Sequence, residues 1–275
     1  MLVGLKDILK IAEEKSFAVP AFNVYNMETV MGIMEAAEEM HAPIIIQSYS
    51  RLFTNKEGYF VAPIVLAAAK KANVPICFHL DHGAGTTEVT RALRWGATGI
   101  MIDKSTLPLA ENIAQTKEVV QMCNAVGVSV EGELGHIGSV NDGISTDYTE
   151  VNDAVKFVEE TGVAALAVMV GTAHGRYKKA PKLAIDRVAE IHAATDAALV
   201  LHGGSGVPDE EIRAAVKAGI RKINFGTDVC YSFLDKVFET SRDLVAVDLF
   251  MKDAIESVKQ FGIGKIKLLG AENKV

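Results

Sequence analysis

Four short stretches of the chain carry side chains able to share a metal ion, a proton and an anion. They are His79-Leu80-Asp81-His82-Gly83, Glu131-Gly132-Glu133-Leu134-Gly135, Gly171-Thr172-Ala173-His174-Gly175 and Leu201-His202-Gly203-Gly204-Ser205-Gly206. His82, His174 and His202 are distant in sequence, yet each lies beside a glycine (Gly83, Gly175, Gly203), which lets the backbone turn a ring inward or approach a ligand closely. Three neutral imidazole nitrogens hold zinc and leave a coordination position open for substrate, as a catalytic rather than a structural site requires. Any one of these histidines alone reads as an ordinary loop residue; their joint occurrence points to a metal. Cys77, Cys123 and Cys230 form no Cys-x-x-Cys pair and read as reduced thiols, so the metal must rely on histidine and carboxylate. His79 stands two residues before Asp81, on the same strand face, and is expected behind the ligands rather than among them.

Asp81 adjoins a ligand histidine. A carboxylate near a cation stays ionised and can accept a hydroxyl proton; its alternative role is to orient His82. After His202, the run Gly203-Gly204-Ser205-Gly206, together with Gly226-Thr227 further on, offers backbone N–H groups and the hydroxyls of Ser205 and Thr227 to an anion. The plain alternative for the glycine run is a tight turn. An anion held close to a metal implies a phosphorylated small molecule with one end on the cation.

These groups need a scaffold that gathers them. Eight β-rich runs recur, at Phe17-Phe22, Pro43-Ser48, Pro75-Leu80, Thr98-Ile102, Ser129-Glu133, Ala165-Val170, Ala198-Leu201 and Lys222-Phe225. Each is followed by a stretch of helical period, the pattern of repeated βα units and a parallel sheet. Near-continuous apolar runs such as Ile44-Ile46 and Leu166-Val170 suit strands covered on both faces. A single (β/α)8 barrel over residues 1–275, with an extra C-terminal helical segment, is the expected fold. The alternative, a doubly wound sheet, lacks its Gly-x-Gly-x-x-Gly fingerprint after the first strand. In a barrel the functional residues collect at the C-terminal ends of the strands, where all four motifs fall.

With 275 residues, 49% of them hydrophobic, the chain can bury a large core, and its net charge of -7 disfavours nucleic acid or an anionic membrane as partner. No apolar run is long enough to span a bilayer and no secretory pattern opens the chain, so the cytoplasm is the expected location.

The motifs, in this order, resemble the class II fructose-bisphosphate and tagatose-bisphosphate aldolases, from Ala18-Phe22-Asn23 through the loop after the eighth strand. The resemblance implies a ketose-phosphate aldolase that yields dihydroxyacetone phosphate and an aldehyde, with His82, His174 and His202 on a catalytic Zn2+ and Asp81 as acid/base. It implies a second metal position, or a place for a monovalent cation, at Asp103 and Glu133. It places Asn23, Gly175, Lys178, Gly203, Ser205, Asn224 and Thr227 against the substrate, and it implies a homodimer or homotetramer, for which the apolar stretch Val245-Gly270 offers a packing surface. Two positions depart from the family pattern. Asn141 stands where a loop glutamate is usual, leaving Asp142, His136 or a water for its proton transfer, and Lys265 stands where an arginine grips a distal phosphate. Arg51 is a further cation able to meet a carboxylate or hydroxyls. Two other functions remain open at this point: a metal-dependent sugar-phosphate isomerase or epimerase, and a non-catalytic sugar-phosphate-binding subunit.

Overall fold

The computed structural model describes residues 1–141 and 147–275. Its eight strands are β1 (Val19–Asn23), β2 (Ile44–Tyr49), β3 (Ile76–Gly83), β4 (Gly99–Ile102), β5 (Ser129–Leu134), β6 (Ala165–Val168), β7 (Ala198–Leu201) and β8 (Ile220–Phe225). They pair in parallel in chain order, and β8 returns to β1 through Val19↔Lys222 to Phe22↔Phe225, closing the barrel. A helix α1 (Leu5–Glu14) precedes β1. Between the strands run α2 (Met27–Glu39), α3 (Ser50–Thr54), α4 (Glu57–Lys71), α5 (Thr86–Arg94), α6 (Leu109–Asn124), α7 (Val151–Thr161), α8 (Ile185–Ala194) and α9 (Asp209–Ala218). After β8 come α10 (Thr227–Glu239), α11 (Val247–Phe250) and α12 (Lys252–Leu268).

The reasons for these elements are local. Strand residues such as Ile44, Ile45 and Ile46 are wholly buried because one side faces the barrel interior and the other the helices. The helices are amphipathic and turn one stripe inward; in α7 that stripe is Ala154, Phe157 and Thr161, and Gly162 ends the helix at φ 72°, a conformation glycine adopts without strain. The N-terminus of α2 is fixed by a capping box in which Asn26 and Thr29 satisfy each other's backbone N–H groups.

The expected eight strands and the helices that follow them are all present, with ends shifted by a few residues. Strand β3 continues to Gly83, past the expected Leu80, because a register shift between Leu80 and Gly83 lets it keep pairing with β4. Helix α1 was not expected. It buries Leu5, Ile8, Leu9 and Ala12, and the backbone N–H of Leu5 donates to Thr98 O just before β4, which seats the helix across the N-terminal end of the barrel. The C-terminal stretch offered as a packing surface divides into two parts. Helix α12 lays Ala254, Val258, Gly262, Ile263 and Ile266 against its own barrel, with Gly262 close to Ala36 of α2. Exposed apolar side chains remain at the start of the stretch, Val245, Val247 and Leu249, with Phe238 and Leu244 just before it. No helix among the described residues is long and apolar enough to cross a membrane.

Candidate active site

Three histidines from three different strands meet at the C-terminal rim. His82 lies on β3, His174 in the loop after β6 and His202 directly after β7, with ring centroids 4.7 Å apart for His82 and His202 and 4.9 Å for His82 and His174. Each ring is oriented through one nitrogen. Nδ1 of His82 donates to Asp103 Oδ2 (2.8 Å), Nδ1 of His174 faces Ile137 O (3.0 Å), and Nε2 of His202 faces Glu131 Oε1 (2.8 Å). This leaves Nε2 of His82, Nε2 of His174 and Nδ1 of His202 for a shared ligand, the anchoring by acceptors that metal-binding histidines need. The backbone contributes as well, since His82 is held at φ 50°, a left-handed conformation uncommon outside glycine and concentrated at functional sites.

The charge pattern fits a cation. His82 Nε2 stands 2.9 Å from His202 Nδ1, so in this arrangement a proton must lie between two nitrogens that would otherwise repel. Burial alone would lower the His82 pKa, but Asp81, Asp103 and Glu133 outweigh it and push it up to about 10. His174 moves the other way, down to about 4, through burial and the neighbouring His82 charge, and therefore offers a neutral nitrogen at physiological pH. His82, Asp103 and Glu133 form a second set of potential ligands that overlaps the first at His82. Oε2 of Glu133 is buried without a hydrogen-bond partner, and burial with the nearby Asp103 raises that carboxyl to about 8. An orphaned buried acceptor beside two facing imidazole nitrogens is what a divalent cation would satisfy. Both sets fit a divalent metal with nitrogen and oxygen ligands.

Asp81 is nearly buried above this cluster. Its Oδ2 accepts from Asn23 Nδ2 (2.8 Å) and its Oδ1 from Asn224 Nδ2 (3.2 Å), while Gln47 Nε2 donates to Asn23 Oδ1 (2.9 Å). Amides therefore hold the carboxylate in place, and His82 Nε2 is 4.0 Å from its Oδ1. Asn23 and Asn224, expected against the substrate, meet both the cavity and this acid.

Below lies a layer of which sequence reasoning identified only His79, expected behind the ligands. Glu131 Oε2 accepts from Lys222 Nζ at 2.7 Å, both side chains being fully buried, and Glu131 Oε1 carries His202. His79 Nε2 is 3.5 Å from the same carboxylate, and burial and Lys222 keep that imidazole neutral. The signal was available in the period of two: Glu131 precedes Glu133, Lys222 precedes Asn224 and His79 precedes Asp81 by two residues, so each points the same way one layer deeper.

The rim loops are tied to one another. The segment after β5 is strapped to the His174 loop, with His174 N donating to Gly138 O (2.8 Å) and Val140 N to His174 O (2.9 Å). Tyr177, also missed from sequence, places its hydroxyl 2.8 Å from Ala173 O and 2.9 Å from Gly203 O and so clamps two ligand loops together. At Gly203 a Cβ would lie 2.4 Å from Ala173 O, on a backbone at φ 67°, so this close approach admits only glycine. Ser205 Oγ accepts from Asp228 N (3.2 Å), which sets the Gly203-Gly206 turn against the first turn of α10.

All these groups border a cavity of about 430 Å³. Asn23, Asp81, His82, Asp103, His174, Gly175, Gly203, Ser205, Asn224 and Thr227 line it, while Glu133 and His202 are fully buried behind His82. Lys178 does not reach the wall and is exposed. Lys265 is turned away, its Nζ 5.1 Å from the Phe225 ring and 5.5 Å from that of Phe261. Asn141 is exposed with its N–H on Ser139 Oγ, Asp142 lies outside the described residues, and His136 lines the cavity with Nδ1 3.1 Å from Ser105 Oγ.

Known proteins share the fold and the sequence pattern of this chain. Residues 3–274 match the family described as class II fructose-bisphosphate aldolase. Among solved structures, the YdjI aldolase from Escherichia coli K12 is 34% identical, with 100% of this chain and 99% of that chain covered and a TM-score of 0.91. A candidate fructose-1,6-bisphosphate aldolase from Coccidioides immitis is 27% identical over 98% of this chain and 97% of its own, at a TM-score of 0.90. The fructose-bisphosphate aldolase of Campylobacter jejuni, at 24% identity, 100% and 97% coverage and a TM-score of 0.82, shares the fold. The barrel that carries this site matches the aldolase family over nearly its whole length: the protein is an aldolase of the lyase type, and the chain belongs to the class II fructose-bisphosphate aldolase family.

Proposed function

We propose that the enzyme is a zinc-dependent aldolase that reversibly cleaves a ketose 1-phosphate to dihydroxyacetone phosphate and an aldehyde. The observation that carries this reading is the convergence of three histidines, each anchored through its other ring nitrogen, directly beside Asp81. His82, His174 and His202 would hold the metal, and Asp103 with Glu133 would form a second position sharing His82. When bound, zinc supplies Lewis-acid stabilisation of the negative charge that develops on the substrate's oxygens as the carbon–carbon bond breaks. Asp81, held by Asn23 and Asn224, accepts the hydroxyl proton of the carbon that becomes the aldehyde and returns it in condensation. Gly203, Ser205, Gly226 and Thr227 offer backbone N–H groups and hydroxyls to the phosphate at the other end. Protonation of the departing three-carbon fragment falls to a group of the loop after β5, where His136 faces the cavity.

The test is condensation of dihydroxyacetone phosphate with aldehydes before and after chelation. Activity is expected to vanish with the chelator and return with zinc; activity indifferent to both would refute the metal assignment. We further propose a homodimer or homotetramer in the cytoplasm. The exposed Phe238, Val245, Val247 and Leu249, close together in the chain, support an assembly, because large apolar side chains left in solvent are suited to contact sites. Light scattering on the purified protein tests this, and a monomer at micromolar concentration would refute it.

A further inference from the structure

The sequence offers three cations for the far end of the substrate, and the structure keeps one. Lys178 and Lys265 are off the cavity, whereas Arg51, the second residue of α3, lines it and is the single permanently charged cation among its described lining residues. The guanidinium lies over two rings, 5.5 Å from the centroid of Tyr25 and 5.4 Å from that of Tyr49. Among the described residues no carboxylate pairs with it and no hydrogen bond occupies its donors, unlike Arg91, Arg187 and Arg221, which are spent on backbone carbonyls or glutamates. An arginine stacked on aromatic faces keeps its edge, with five N–H donors, free for a planar anion.

Its position is set by the barrel. The phosphate cradle follows β7 and β8, and Arg51 follows β2, on the far side of β1 from the cradle. Tyr49 stands between Arg51 and the metal histidines, its ring 5.9 Å from that of His82. A ketose 1-phosphate with its phosphate in the cradle and its reacting carbons at Asp81 therefore extends its other end toward Arg51. Given the proposed aldolase activity, on which this inference rests, we propose that Arg51 binds a terminal carboxylate on the aldehyde half, so that the preferred substrate is an acid-ended ketose 1-phosphate. A carboxylate suits the site better than a second phosphate. One guanidinium matches a planar monoanion through two parallel bonds, while Asp81 and Asp103 on the same cavity wall penalise a dianion that brings only one counter-charge.

The experiment measures kcat/KM for condensation of dihydroxyacetone phosphate with three aldehydes of matched length, ending in a carboxylate, a phosphate or a hydroxymethyl group. Wild-type enzyme, Arg51→Met, Arg51→Lys and the control Lys265→Met are compared, with zinc content and thermal unfolding confirming that each is folded. The wild type is expected to favour the carboxylate over the neutral aldehyde by about 10- to 100-fold, the range for a hydrogen-bonded charge. Arg51→Met should remove most of that preference, chiefly through KM, and Arg51→Lys should restore part of it, while Lys265→Met keeps it. A wild type that prefers the neutral or phosphorylated aldehyde, or an Arg51→Met enzyme that retains the carboxylate preference, overturns the proposal. Solvent exchange of the C3 proton of dihydroxyacetone phosphate, which needs no aldehyde, separates the two levels. Exchange without carboxylate preference sinks the role of Arg51 alone, whereas no exchange by the zinc-loaded wild type sinks the aldolase reading and this inference with it.

Discussion

Replacing Lys222 with methionine should destabilise the metal-free protein by about 3–5 kcal/mol, although the residue touches no solvent and lines no cavity. Its Nζ sits 2.7 Å from Glu131 Oε2, and both side chains are fully buried. At an effective dielectric of about 20, two unit charges this close attract by roughly 6 kcal/mol. Removing the lysine also relieves its own desolvation, which brings the net cost into the range measured when one member of a buried pair is lost. Glu131 cannot escape by rotating, because its other oxygen holds His202 at 2.8 Å. The assay is urea unfolding of chelator-treated protein. With a slope of about 3 kcal/mol per molar urea, the midpoint should fall by roughly 1 to 1.7 M. Adding Glu131→Gln should recover at least half of the loss, since the amide oxygen still accepts from His202 and no charge is left unpaired. A midpoint shift of less than about 0.3 M for the single variant, or a double variant as unstable as the sum of the two singles, would refute the claim that this pair is held together by mutual neutralisation.

Metal analysis should show that His174→Ala loses zinc and activity together, and full occupancy in that variant would contradict the three-histidine site. Asp81→Asn should keep zinc and fold but lower turnover by about 100-fold or more, the scale for a positioned acid/base; equal loss of metal would make the residue structural instead. Zinc affinity should rise with pH from neutrality toward about 10, because His82 without metal holds a proton up to that pH and binding must expel it. Titration calorimetry in buffers of different ionisation enthalpy measures the protons released, and an uptake independent of pH would show that His82 is not a ligand.

The repeating unit was legible because it depends on neighbours in the chain. Apolar runs such as Ile44-Ile46, a helical period after each and glycines beside His82, His174 and His202 are local patterns, and they carried both the barrel and the three histidines. Helix α1 escaped notice because Leu5, Ile8 and Leu9 are read only as a short amphipathic stretch until the barrel end they cover exists. The buried pair of Glu131 and Lys222 is another matter. Two residues along a strand say which way a side chain points, but only closure of the sheet decides that a lysine from β8 and a glutamate from β5 face each other across the interior. The same holds for the three cations that sequence alone left equivalent. Arg51, Lys178 and Lys265 differ little as charges, and their fates were settled by the surfaces they lie on: Lys265 on a helix that covers the barrel's outside, Lys178 on an exposed loop, Arg51 between two tyrosines at the mouth of the cavity. Residue type and spacing determined which chemistry was available, and closure of the sheet, which brings together groups 120 positions apart in His82 and His202 and 143 apart in Asp81 and Asn224, decided which groups perform it.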